Sequence, residues 1–369
     1  MNRVLLVPDL ALEGWLSVDR YATELARRIP GVEQPTALRA MGGPRHWARY
    51  VRYPRALRRH HPDLVHIADH SYGHCLSAFP GVPSVVTIHD LFPLHVIRQG
   101  AHSVRQAVRI QALSWVLSWL KRATAWIAVS EFTAGEARRE LGLPADRVHV
   151  VPNGVAESFF ARPTAAAIAK RRRGWLGADG ARGRFVVLHV GRCEPRKNVE
   201  AAIQALGILR RRGVEAVLVQ VGGRLESSHR RAATTSGVEA IVIEEGAVAE
   251  TALVEAYYAA DALVFPSTYE GFGLPVLEAQ AAGLPVVISD APALVEAAGG
   301  CSLVAGREPA ALAESLARVL TDAGTRTTLI LRGLRYARTM TWDRTAAKTQ
   351  RVYADLLPLV RLGSTGPES

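Results

Sequence analysis

The sequence predicts an α/β protein of two doubly wound halves, each a parallel sheet covered by helices on both faces. Short runs of Val, Ile and Leu alternate with longer amphipathic stretches from end to end. Continuous apolar strands interleaved with helices are strands buried on both faces of a parallel sheet. The series also runs twice, restarting after a polar, glycine-containing stretch at 150–184. A chain of 369 residues exceeds what one hydrophobic core ordinarily spans, so two domains are expected.

In the first half, "RVLLVP" (3–8) reads as a strand and "DRYATELARRI" (19–29) as a helix with apolar residues at helical spacing. "DLVHIA" (63–68), "SVVTIHD" (84–90) and "AWIAVS" (125–130) follow as buried strands, with a long helix over 103–123 between the last two. A further strand ends in the Pro152-Asn153-Gly154 turn. The second half opens with "RFVVLHVG" (184–191) and a helix through "VEAAIQALGILRRRG". Strands at 215–223, 239–246, 262–267 and 285–290 complete it.

Composition narrows the class. Apolar residues make up 49% and charged residues 21%, as in soluble globular proteins. The scattered Cys75, Cys193 and Cys301 fit neither a metal-ligand spacing nor a disulfide framework, which points to a reducing compartment such as the cytoplasm. "VLLV" is too short for a signal peptide and runs directly into Pro8-Asp9, so a first strand is the better reading. No apolar run reaches the roughly 20 residues of a spanning helix.

The formal net charge is +11, with arginine clusters at 55–61, 170–173 and 210–212. These read first as solvated faces of an arginine-rich chain. Phosphorylated small molecules and anionic lipid would also suit them. Nucleic acid is not expected, because no motif interleaves basic and aromatic residues. The helix over 103–123 has an apolar face that suits covering its own sheet. Trp115, Trp119, Arg105 and Arg109 beside that face leave open a peripheral contact with the inner membrane face.

Ligands in open α/β sheets bind at the carboxyl ends of strands, and there this chain is polar and glycine-rich. In "STYEGFGLPVLEA" (267–279), Glu270 and Glu278 flank a Gly-Phe-Gly bend that leads into a helix. The amides of Phe272, Gly273 and Leu274 at that helix start would suit a phosphate, and Gly271 and Gly273 let the backbone approach it closely. Two carboxylates beside an anion pocket serve best as acceptors for hydroxyls, as on the sugar and ribose of a sugar nucleotide. In "HVGRCEPRKN" (189–198), Arg192 and Lys197 end a strand and could neutralise a diphosphate without metal, since no Asp-x-Asp is present. His89 and Asp90 close the strand 84–90, either to contact substrate or as a hydrogen-bonded structural pair. Gly14, after the first strand, is a further close-approach position.

These residues carry a resemblance. "FPSTYEGFGLPVLEAQAAGLPVV" resembles the E-x(7)-E signature of the retaining glycosyltransferase family 4, and "GRCEPRKN" resembles that family's Arg/Lys diphosphate motif. "VSEFTAGEARRELGLPADRVHVVPNGV" is similar to its approach to the hinge, "TIHD" to its first-domain histidine strand, and "TWDRTAAKTQRVYADLL" to its closing helix. The resemblance implies the GT-B fold, two Rossmann-like domains facing each other across a cleft. An acceptor-side domain would span 1–157 with a returning helix at 345–369, and a donor-binding domain 158–344.

The resemblance further implies that Arg192 and Lys197 hold the donor diphosphate, Glu270 the sugar hydroxyls and Glu278 the ribose. The amides of Phe272, Gly273 and Leu274 would bind phosphate and sugar, His89 would touch the donor sugar near the reacting centre, and backbone near Gly246–Val248 would contact the base. Gly14 matches the first-loop glycine, but Trp15 replaces the second glycine of many members, so acceptor geometry departs from the pattern there. The implied reaction is metal-independent sugar transfer with retention, from a nucleotide-diphosphate sugar (GDP-mannose favoured) to a glycan, glycolipid or small-molecule acceptor. The alternative is a sugar-nucleotide epimerase of the same fold.

Overall fold

The computed structural model describes residues 3–39, 43–98, 100, 103–177 and 184–357. The chain divides into two compact units, residues 1–154 with 342–369, and residues 155–341. The divide falls three residues before the expected boundaries at both crossings. The reason is local: Val155 pairs with Thr341 in a parallel bridge, and its N–H donates to the Met340 carbonyl at 2.9 Å. The returning helix runs Trp342–Leu356; the expected residues 358–369 lie outside the described part.

The first unit holds strands β1 (Val4–Val7), β2 (Val32–Glu33), β3 (Leu64–Ile67), β4 (Ser84–Ile88), β5 (Ala125–Ala128) and β6 (Val148–Val150). They form one parallel sheet in the order β2-β1-β3-β4-β5-β6. Period-two alternation sends Leu5, Val7, Val65, Ile67, Val86 and Ile88 into the core on one face. Val4, Leu6, Leu64, Val85 and Ile127 go to the other, against the helices Leu16–Arg28 and Trp342–Leu356. Both faces are therefore covered, which is why these strands read as unbroken apolar runs.

A polar thread crosses that second face. His66 on β3 bonds Tyr353 of the returning helix at 2.5 Å and Thr87 of β4 at 2.7 Å, and Tyr21 bonds the same Thr87 hydroxyl at 2.8 Å. Burial holds the His66 imidazole neutral, its pKa lowered to about 3.

The second unit repeats the plan with β7 (Phe185–Gly191), β8 (Ala216–Gly222), β9 (Val242–Gly246), β10 (Ala262–Phe265), β11 (Val286–Ile288) and β12 (Leu303–Val304). The order is β12-β11-β10-β7-β8-β9, again all parallel. The helices Val199–Arg211 and Pro309–Thr321 cover one face with Ile203, Leu206, Leu312 and Leu316. All three cysteines are free and buried.

The long helix is Val104–Leu120. Its C-terminal half is buried at Val116, Leu117 and Leu120, packed on the helical turn His70–Ala78, while Val108 and Trp115 stay exposed. Among the described residues no helix is long and apolar enough to cross a membrane.

Candidate functional site

In the second unit, two strand-end loops meet. The turn after β7 places a single helical turn, Pro195–Lys197, ended by Asn198 in the left-handed region at φ 53°. Asn198 Nδ2 donates to the Pro266 and Arg307 carbonyls at 3.3 and 3.1 Å. The Thr268 N–H donates to the Arg196 carbonyl at 2.7 Å. These bonds staple the turn to the loop after β10, so the residues they carry face one another.

Across the staple, Lys197 Nζ donates to Glu270 Oε1 at 2.6 Å, and Arg196 Nη1 to Oε2 at 3.3 Å. Both cations and the carboxylate are largely buried, where such charge-assisted bonds are strong. Burial pushes the Glu270 carboxyl up, but Lys197 and then Arg196 outweigh it and hold its pKa below the usual carboxylate value. The Lys197 ammonium also lies 5.0 Å from the centroid of the Phe265 ring. Arg192 is exposed at the mouth of the turn.

Beyond Glu270 the loop enters the helix Leu274–Ala281 through Gly273, at φ 111°. The conformation requires glycine, and a Cβ there would stand 2.6 Å from Leu294 Cδ2, so that methyl would have to move. Phe272 and Gly273 are buried and Leu274 half-buried. Glu278, one turn into the helix, is buried and accepts a hydrogen bond from the Tyr257 hydroxyl at 2.8 Å. Val248, half-buried, follows β9 just past Gly246, which turns at φ 65°.

His89 and Gly14 belong to the first unit. His89 follows β4, and its Nε2–H donates to the Ala68 carbonyl at 2.9 Å, with Tyr21 edge-on at 4.9 Å. Burial lowers its pKa although Asp69 pulls the other way, so the ring is neutral, with Nδ1 as the acceptor nitrogen. Gly14 ends a short turn at φ 66°, its N–H donating to the Ala11 carbonyl. Beside it, buried Glu13 accepts from Arg45, from Arg49 at 3.1 Å and from the Tyr72 hydroxyl at 3.1 Å. Asp9 follows β1 and is buried; burial and then Asp69 raise its pKa well above the usual value.

Sequence reasoning passed over several of these groups. Arg196 stood inside the quoted motif next to Lys197, and Asp9 and Asp69, like His89, follow the carboxyl ends of strands, a place that could have flagged them. Tyr257 had no local signal, because its partner is 21 positions away. Among the described residues, no group of three or more His, Cys, Asp or Glu is placed to hold a metal ion.

Two parallel six-stranded sheets with cationic and carboxylate groups gathered at strand carboxyl ends define the class: a doubly wound α/β protein of the GT-B type. Residues 14–159 match Glycosyltransferase Family 4, and residues 179–335 match Glycosyl transferases group 1. The chain belongs to this glycosyltransferase family.

It is 33% identical over 297 residues to a D-inositol 3-phosphate glycosyltransferase of Thermobispora bispora, covering 76% of this chain and 67% of that one. It is 29% identical over 274 residues to the O-antigen chain mannosyltransferase B of Escherichia coli, covering 73% and 70%. The alignable chain spans between 51% and 70% of the lengths of such curated relatives. A solved structure of Anabaena Alr3699/HepE in complex with UDP and glucose superposes with a TM-score of 0.75 over 96% of this chain and 100% of that one. At 18% identity this is a likeness of fold.

Proposed function

We propose that the protein is a retaining hexosyltransferase that moves a sugar from a nucleoside-diphosphate sugar to an acceptor hydroxyl. The observation that carries this reading is the buried meeting of Lys197, Arg196 and Glu270 beside the Gly273 helix start. Lys197 and Arg192 take the diphosphate, with the amides of Phe272, Gly273 and Leu274. Glu270 accepts from hydroxyls of the sugar, Glu278 from the ribose, and backbone near Val248 meets the base. His89 contacts the donor sugar and Gly14 lets the first loop approach the substrates.

The acceptor oxygen attacks the anomeric carbon from the face that the diphosphate leaves. The bond from that carbon to the phosphate oxygen breaks, and the leaving phosphate takes the acceptor's proton. Fixed cations stabilise the charge that grows on the leaving group, so the reaction needs no metal. GDP-mannose is the favoured donor, in line with the mannosyltransferase relative. The acceptor is a glycan, glycolipid or small molecule; relatives bear names of an inositol phosphate and an O-antigen chain. Exposed Val108 and Trp115, with Arg105 and Arg109 beside them, support a cytoplasmic enzyme that touches the inner membrane face.

The test is a thermal-shift panel of nucleoside diphosphates and their sugar conjugates without added metal, since a ligand of the folded state raises the melting temperature. One nucleotide should stabilise the wild type and lose its effect in Lys197→Ala and Glu278→Ala. Failure of every nucleotide on demonstrably folded protein sinks the reading. A sugar nucleotide epimerised without any acceptor would favour the epimerase, and an inverted product anomer would remove retention.

A further inference from the structure

Two polar side chains lie deep in the otherwise apolar strands β7 and β8. His189 on β7 and Gln220 on β8 are register partners, and neither is exposed to solvent. Burying polar groups costs free energy that their hydrogen bonds only return, so an apolar pair would serve the fold as well.

What the pair does is connect. His189 Nδ1–H donates to Gln220 Oε1 at 2.6 Å. Gln220 Nε2 donates to the carbonyl of Gly191 at 2.7 Å and to that of Val221 at 3.2 Å. The amide nitrogen faces two carbonyls, so its oxygen faces the imidazole and assigns the proton to Nδ1. The Gly191 carbonyl accepts a second bond, from the Gly223 N–H at 2.9 Å.

Gly191 is the root of the turn that carries Arg192, Arg196 and Lys197. The turn is pressed against the end of β8: a Cβ on Gly223 would sit 2.4 Å from the Cys193 nitrogen and 2.8 Å from Arg192 Cα. The imidazole stacks on Phe265 at 5.8 Å between centroids and 18° between planes, the same ring that Lys197 approaches. Burial lowers the His189 pKa to about 4, so a neutral ring lies beside the lysine. Its Nε2 is buried and makes no hydrogen bond to any described residue.

We propose that His189 and Gln220 are positioning residues for the nucleoside diphosphate. They hold the Gly191 carbonyl, and through it the turn that presents Arg192 and Lys197 to the diphosphate. This rests on the donor-side reading given under "Proposed function".

Isothermal titration of UDP, GDP, ADP and dTDP without added metal tests it, on the wild type, His189→Phe, His189→Asn, Gln220→Leu and the double variant His189→Phe/Gln220→Leu. Phe keeps the stacking on Phe265 and donates nothing; the Asn side-chain nitrogen falls where Nδ1 stood. His189→Phe and Gln220→Leu should each weaken the bound diphosphate about tenfold, ~1.4 kcal/mol. The double variant should lose no more than either single variant, because both break one relay, and His189→Asn should recover most of the loss. The double variant should melt no lower than the wild type, since an apolar pair replaces a buried polar one; a merely structural pair would lower the melting temperature and leave affinity intact. Unchanged affinity in His189→Phe, or His189→Asn no better than His189→Phe, overturns the inference and leaves the proposed function standing. A wild type that binds none of the four overturns both.

Discussion

Between pH 7 and pH 5, acid should weaken the unit of residues 155–341 chiefly through one histidine, His189, the Glu270 carboxylate losing its contribution at lower pH. Burial, partly offset by the hydrogen bond with Gln220, lowers the His189 pKa to about 4, against about 6.5 for the unfolded side chain. Between these values the unfolded state binds a proton that the folded state refuses, so stability falls as pH falls from 6.5 and stops falling below 4. Integrated from pH 7 to pH 5, the loss is on the order of 2 kcal/mol, a sizeable share of a typical domain's 5–15 kcal/mol. Hydrogen exchange of the β7 and β8 amides at their slowest, global limit reads this unit's opening free energy at each pH. His189→Asn keeps a donor toward Gln220 and does not titrate, so its loss over the same interval should be smaller by about that amount, roughly 2 kcal/mol. Equal losses in the two proteins would refute the assignment of the acid sensitivity to His189.

Two substitutions test the donor-side loop. Gly273→Ala places a side chain at φ 111° with its Cβ 2.6 Å from a Leu294 methyl; backbone strain of about 1–3 kcal/mol should appear in thermal melts together with weaker nucleotide binding. An unchanged melt would mean the helix start relaxes freely. Tyr257→Phe deletes the buried donor to Glu278 and should cost about 1–3 kcal/mol in urea unfolding, with a loss of affinity for nucleotides but not for inorganic diphosphate. Equal losses for both ligands would deny Glu278 its place at the ribose.

The fold was largely legible because parallel strands buried on both faces leave apolar runs that local pattern can find, as in "VVLHV" and "ALVF". The two-residue edge strands β2 and β12 left no such run. Strand order was not legible at all, since β10 lies beside β7 through pairing that no local window records. In the site, the glycine bend and the Arg/Lys turn could be read from spacing and from resemblance. The contact of Arg196 with Glu270 could not, for it joins residues 74 positions apart. His189 and Gln220 did leave a trace, one polar residue in each of two apolar strands, but only the register shows that they face each other.

The ion pair of Lys197 and Glu270 also competes with the proposed donor for both groups. In the structure Lys197 pairs with Glu270, whereas the proposed chemistry needs it on the diphosphate and needs Glu270 for a hydroxyl. Arg196 keeps the second carboxylate oxygen, so the lysine can leave without stranding a buried anion, which would otherwise cost about 3–5 kcal/mol. Glu270→Gln removes the competitor and leaves Lys197 beside Phe265. The variant should therefore bind a bare nucleoside diphosphate more tightly than the wild type, by about tenfold for a gain near 1.4 kcal/mol. It should at the same time transfer sugar more slowly, because the hydroxyls lose a charged acceptor. Titration calorimetry with the diphosphate and turnover with its sugar conjugate read the two effects separately. If the variant binds the bare diphosphate more weakly, Glu270 supports Lys197 instead of competing for it, and the exchange of partners is wrong.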